Sequence, residues 1–190
     1  MARIRLPKPV KLIVGLLSSD EDLLRRAQHL LTKKYGPTDL ESDLVPFLET
    51  DYYEPEMGPN LRRRFLSFER LMRADDLPRI KNETNKLEAA IADDSLDPRI
   101  GRPVNIDPGY VDVAKLILAT TKNHAHRVYM AEGIFAEVTM RIVDGAWKNW
   151  PWTYPDYQTP WAQAWFMEVR QKLREQHQAF ESLTDSGPPA

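Results

Sequence analysis

Residues 11–35 read KLIVGLLSSDEDLLRRAQHLLTKKY, and this stretch decides the fold. Lys11 to Ser18 is aliphatic without polar alternation, the pattern of a buried strand. A helix is expected from Asp20 to Tyr35. Ser19 is placed to cap it, Asp20, Glu21 and Asp22 favour its first turn, and Gly36-Pro37 stops it. Leu23, Ala27, Leu30, Leu31 and Tyr35 form its apolar stripe. His29 falls among Arg25, Arg26 and Lys33 on the solvated side.

Further along, Leu44 to Tyr53 alternates as a strand would, with Phe47, Glu49, Asp51 and Tyr53 on one face and Leu48, Thr50 and Tyr52 on the other. Glu54 to Pro59 reads as a turn, and Arg64 to Met72 as a strand. Pro78 sits at the first turn of a helix to about Ala92, with Asp75 or Asp76 as cap. A polar loop from Asp93 to Pro103 leads to a short strand, Val104 to Ile106, closed by the turn Asp107-Pro108-Gly109. Val111 to Thr120 is aliphatic enough for strand or helix. Ala131-Glu132-Gly133 joins Arg127–Met130 and Ile134–Ile142 into a hairpin, and Trp147–Trp152 is read as one more short strand. Thr159 and Pro160 open a C-terminal helix with Trp161, Trp165, Val169, Leu173 and Phe180 on one face.

This order predicts an α+β domain. A mixed or antiparallel sheet, with helices on one face, is built on a ferredoxin-like βαββαβ core and extended by the hairpin. The expected divisions are a flexible leader over 1–9, the domain over 10–157, the helix over 158–184 packed on the domain or a partner, and a disordered tail over 185–190. Self-association would run through that helix.

Composition narrows the function. The 190 residues contain no cysteine, which excludes disulfides, thiolate metal sites and a cysteine nucleophile. Lys and Arg number 26 against 28 Asp and Glu, a net charge of −2, so nucleic acid is an improbable partner. No membrane span or targeting segment is recognised, and a cytoplasmic location is expected. Neither GxxxxGK[ST] nor GxGxxG occurs, and no nucleophile elbow or HExxH motif is present, so the reaction, if any, is not assigned.

Several constellations carry chemistry. Lys81, Thr84, Asn85 and Glu88 form one polar ridge beside the apolar stripe Ile80, Leu87 and Ile91. Glu49 and Asp51 share a strand face, as paired carboxylates for a metal or acid–base work would. The octapeptide from Thr120 to Arg127 gathers Lys122, His124, His126 and Arg127, an anion-binding inventory. In extended chain the two histidines point the same way, yet no third metal ligand is fixed. Trp150 to Tyr157 interleaves aromatics and prolines, suited to packing over a sheet or to stacking on a base or sugar. Lys115 and Glu137 interrupt apolar runs, either on a wet sheet face or as a pair inside a cleft. Surface pairing accounts for the ridge, and solvation for the acidic strand, at least as simply.

The strings KLIVGLLSSDE, ETDYYEPEMG, KNETNKLE, VNIDPGYVDVAKLILATTKNHAHRVYM, GIFAEVT and WTYPDY resemble a bacterial family known as domain of unknown function 4416, from about Val10 to Tyr157. The final helix from Thr159 lies outside that resemblance, and His124 lies outside the family's characteristic positions. The resemblance carries no established activity. It implies that Lys, Arg, Glu, Asp, Asn and Tyr belong to the motif, the inventory of a small-anion site.

The expectation is therefore one polar cleft, where the second long helix meets the sheet, holding a small phosphorylated or carboxylated molecule, such as a nucleotide with Mg²⁺. Lys81, Asn85, Lys115, Lys122, His126 and Arg127 are the ligand-binding candidates. Glu49, Glu88 and Glu137 are the catalytic candidates, with Glu49 and Glu137 also the metal candidates. The alternative is a non-enzymatic interaction or scaffold module whose polar motifs are structural networks.

Overall fold

The computed structural model describes Ile4 and residues 6–94 and 101–185. The expected disorder beyond Asp185, and most of the leader's first five residues, lie outside the described residues.

Strand β1 (Val10–Ser18) is buried along its whole length. Its unbroken aliphatic run has no wet face because helices cover both sides of the sheet. On one side Leu12, Val14 and Leu16 meet Leu24, Ala27 and Leu31 of α1 (Glu21–Tyr35) and Ile80 and Ile91 of α3 (Leu77–Asp93). On the other, Ile13 joins Phe65, Val111, Leu116 and Met140 beneath Ala162, Trp165, Phe166 and Val169 of α4 (Pro160–Asp185). The expectation of helices on one face is thus corrected to a three-layer arrangement. The α4 stripe through Leu173 is covered by the chain's own sheet, while Phe180 is 67% exposed.

Among the described residues the sheet has nine strands, with β2 (Thr38–Glu41), β4 (Arg62–Met72), β1, β5 (Asn105–Val111), β6 (Lys115–Thr120), β8 (Ile134–Val143) and β7 (Val128–Ala131) in spatial order. Short β3 (Val45–Pro46) pairs with β4 and β9 (Ala146–Asn149) with β8. The pairings found among the described residues are antiparallel. Two tight hairpins extend the sheet: Glu132-Gly133 and Asp144-Gly145 carry successive positive φ values of 53° and 77°, and 51° and 80°. Such pairs match the twist of adjoining strands. Asp20, not Ser19, caps α1, accepting from the N–H groups of Asp22 and Leu23.

Two expectations fail instructively. Residues 47–53 form no strand; a loop leads instead into α2 (Glu54–Met57). There Glu49 accepts from the Leu48 N–H, and the Thr50 hydroxyl from the Tyr52 N–H, local bonds that compete with a ladder. Glu49 and Asp51 therefore do not share a strand face. Asp107-Pro108-Gly109 is no turn either, for β5 runs straight through it, with Pro108 opposite Val14 and Gly109 opposite Ile13. Gly109 is needed for close approach: a Cβ there would lie 2.3 Å from the Ile117 carbonyl oxygen of β6.

Replacing Gly109 by Ala should lower the free energy of unfolding by about 3 kcal/mol, because main chain must move. Gly101→Ala, where a Cβ meets nothing within 4 Å, should be near neutral. Urea denaturation of both variants checks the contrast.

Candidate functional site

The site arises where the sheet opens. β5 and β6 pair only at Gly109–Leu118, Tyr110–Ile117 and Val111–Leu116. Pro108 has no N–H to offer the next rung. Two residues back, Ile106 presents its main chain on the same edge of the strand, and β6 is not there to meet it. Charged side chains of α3 take β6's place. Glu88 Oε1 accepts from the Ile106 N–H at 2.7 Å, and Lys81 Nζ donates to the Ile106 carbonyl oxygen at 3.2 Å. The polar ridge read from the sequence is therefore a plug for an interrupted ladder.

The opening is part of a cavity of about 760 Å³. Its walls come from the α3 ridge, the start of β5, the loop after β6, the loop before α2 and the 154–157 segment before α4. Lys81, Asn85, Glu88, Lys122, Arg127 and Glu137, all expected at one site, line it together. Glu49, Lys115 and His126 do not. Lys115 is 40% exposed and pairs with Asp112 at 3.0 Å. It stands at the far end of β6 from Thr120, about 17 Å away at strand rise. Glu49 bonds its own loop. His126 stands behind the wall and touches Glu137 at 3.2 Å.

Sequence reading missed Arg63, Arg102, Tyr53, Asp107, Tyr154 and Asp156 as site residues, all in the lining. A signal existed for Arg63: period two along β4 places it on the same face as Phe65, so a buried arginine was readable. Asp107 was hidden by the mistaken turn.

The lining holds five cations, Arg63, Lys81, Arg102, Lys122 and Arg127, and four carboxylates, Glu88, Asp107, Glu137 and Asp156. Four pairs form. Lys81 meets Asp107 at 3.0 Å, Arg102 meets Glu88 at 2.8 Å, Arg127 meets Glu137 at 2.7 Å, and Arg63 meets Asp156 at 2.9 Å. Arg127 is further held by its donations to the Tyr154 hydroxyl and the Lys122 carbonyl. The fifth cation, Lys122, donates only to the Tyr52 hydroxyl, at 3.0 Å.

Arg63 is the exception among the paired residues. Only 3% exposed, it holds its Nε 2.9 Å from Asp156 without an aligned hydrogen bond, and its Nη1 makes no hydrogen bond; both nitrogens are sealed from solvent. The faces of Phe47 and Phe65, 5.2 and 5.7 Å away, also attend its charge. Asn85 makes no side-chain hydrogen bond among the described residues. Among those residues, no group of three His, Asp or Glu side chains is arranged to hold a metal ion.

Protonation follows these contacts. Burial pushes the Glu88 carboxyl up, and Lys81 and Arg102 only partly offset it. Burial likewise raises Asp156 against the pull of Arg63. Burial and the nearby Asp107 carboxylate push the Tyr53 phenol up to about 12. Asp107 goes the other way. It lies deep in the fold, yet its side chain is 30% exposed to the cavity. Burial raises it, but Lys81, Arg63 and the Asn105 amide outweigh burial and hold it below the usual aspartate value.

A carboxyl whose pKa falls on folding contributes stability above its unfolded value and loses it as the pH drops through the folded one. Asp107→Asn should therefore cost about 2 kcal/mol at neutral pH. The gap to the native chain should close on acidification below the ordinary aspartate range, as denaturant curves across that range would record. At the plug, Glu88→Ala strands both the Ile106 N–H and Arg102 and should cost about 3 kcal/mol, whereas Glu88→Gln keeps an acceptor and should cost about 1 kcal/mol. Paired urea titrations test the difference.

Comparison with known proteins returns one match. No curated protein matches the chain, and no solved structure does. A family model matches residues 8–173. That span runs past Tyr157, where the motif resemblance stops, and reaches Leu173, a buried apolar position of α4. The helix that closes the second core layer is thus part of the shared unit. With most of its length matched, the chain belongs to the family described as domain of unknown function (DUF4416).

Proposed function

We propose that the cavity binds a small phosphorylated or carboxylated molecule, a nucleotide being a fitting size and chemistry. The observation that carries this reading is the surplus cation on the wall of a cavity of about 760 Å³: five cations stand against four carboxylates, and Lys122 is left over once the four pairs are made. A cation without a carboxylate partner in such a wall would hold an anionic oxygen by a charge-assisted hydrogen bond. A divalent cation such as Mg²⁺ would enter with a phosphorylated ligand, since its binding would rest mainly on phosphate oxygens.

The competing reading is a scaffold or interaction module. It is favoured by the pairing of Lys81, Arg102 and Arg127 with carboxylates and by the plug at Ile106. It gives no role to the cavity. The proposal extends to a cytoplasmic, bacterial setting; among the described residues no helix is long and apolar enough to cross a membrane. We also take β2-β4-β1-β5, with α1 and α3 as crossovers, for a ferredoxin-like core to which the other strands are added.

Thermal unfolding with inorganic phosphate, pyrophosphate, nucleoside phosphates and citrate, each with and without Mg²⁺, tests the reading. A ligand at one hundred times its Kd should stabilise by about 2.7 kcal/mol, a rise in Tm of roughly 5–10 °C for a chain of this size. Lys122→Ala should leave the unliganded Tm unchanged and weaken binding about tenfold. A flat response to every compound would favour the scaffold.

A further inference from the structure

The wall of the cavity is continued outward by a stack of rings. His124 lies parallel to His126, with centroids 6.0 Å apart and planes within 4°. His126 lies parallel to Trp152 at 5.0 Å and 12°, and Trp152 to Trp150 at 5.1 Å and 5°. The Arg141 guanidinium closes the far end, 4.4 Å from the centroid of the Trp150 ring. Four near-parallel rings and a planar cation thus form one ladder.

Each inner member has both faces covered. Trp150 lies between Arg141 and Trp152, Trp152 between Trp150 and His126, and His126 between Trp152 and His124. Neither tryptophan lines the cavity, and each already has two neighbours in the stack. His124 is different: one face rests on His126, no other ring or cation of the described residues covers the opposite face, and the residue lines the cavity. The ladder is also rigid. Trp152 Nε1 donates to the Val138 carbonyl at 3.1 Å, His126 Nε2 meets Glu137 at 3.2 Å, and the Arg127 N–H donates to the His124 carbonyl at 2.9 Å.

We infer that His124 is a stacking site for a flat heteroaromatic ring, and that the anion bound in the cavity carries one. The inference rests on the proposed anion binding and narrows its ligand to a nucleoside phosphate. The ring takes the next place in the ladder, beyond His124, while its phosphate turns toward Arg63 and Lys122. Stacking on a pre-ordered ring loses little conformational freedom, and its sequence-tolerant π contact suits any nucleobase.

Calorimetric titration of the full chain with the four common nucleoside 5′-monophosphates, ribose 5-phosphate and the matching nucleosides separates the two claims. The tightest nucleoside monophosphate should bind at least about tenfold better than ribose 5-phosphate. His124→Ala should remove most of that advantage, His124→Phe should restore it, and neither should change ribose 5-phosphate binding. On nucleotide binding the His124 ring protons should move upfield in NMR spectra, with cross-peaks to base protons. Equal binding of ribose 5-phosphate and nucleotide, or an advantage that survives His124→Ala, overturns the stacking site and leaves anion binding intact. His124-dependent binding of nucleosides to which phosphate adds nothing upholds the stacking site and overturns anion binding. Absence of binding by every probe overturns both.

Discussion

One missing hydrogen shapes this molecule. Pro108 stands in β5, the middle strand of the order β2-β4-β1-β5-β6-β8-β7, where its nitrogen has nothing to donate to β6. The ladder between β5 and β6 stops there, and the main chain of Ile106 is left facing an opening. Main-chain groups buried without partners are too costly to leave, so something must replace the strand. Glu88 and Lys81, seven residues or about two helix turns apart on α3, supply the acceptor and the donor that β6 withholds. Their charges then require partners, which Arg102 and Asp107 provide. The cavity and its ring of ion pairs follow from that first interruption.

Ion pairs of this kind are weak arguments for stability, because desolvation offsets much of their attraction. Their value here is geometric. Arg127 is held at once by Glu137, the Tyr154 hydroxyl and the Lys122 carbonyl, which fixes the loop after β6 against the segment before α4. Glu137 in turn holds His126, and His126 anchors the ring ladder. The same carboxylate thus orders both the charged wall and the stacked one. Arg63 gains least from the network. Gly15 gives it and Tyr157 room, since a Cβ there would approach Arg63 Nη1 to 3.3 Å and the Tyr157 hydroxyl to 3.1 Å.

Much of this was legible in the sequence, and what was not has definite causes. The aliphatic run of β1, the capped amphipathic α1 and the Trp165–Val169–Leu173 stripe follow from periodicity, which packing then enforces. Lys81, Asn85, Glu88, Lys122, Arg127 and Glu137, which line one cavity, could be singled out because each sat at an odd place, a polar ridge, a charged loop or a carboxylate in an apolar strand. Lys115 sat at an equally odd place but pairs locally with Asp112, and spacing cannot tell a local partner from a distant one. Asp-Pro-Gly carries the chemistry of a turn. Its use as a strand depends on the close approach of Ile117 to Gly109 and on α3 standing in for β6. Both are tertiary facts with no local signature. Alternation over Phe47–Tyr53 misled for the opposite reason, since short side chains there bond their own loop and cancel the pattern.

Amide hydrogen exchange at Ile106 tests the interrupted ladder most directly. Ile106 lacks a strand partner on that edge, yet its N–H should be protected to a degree comparable with Tyr110, which pairs with β6. In Glu88→Ala that protection should collapse at Ile106 while Tyr110 keeps its own. Rapid exchange at Ile106 in the native chain, or protection indifferent to Glu88, would contradict a sheet opening held by the charges of α3.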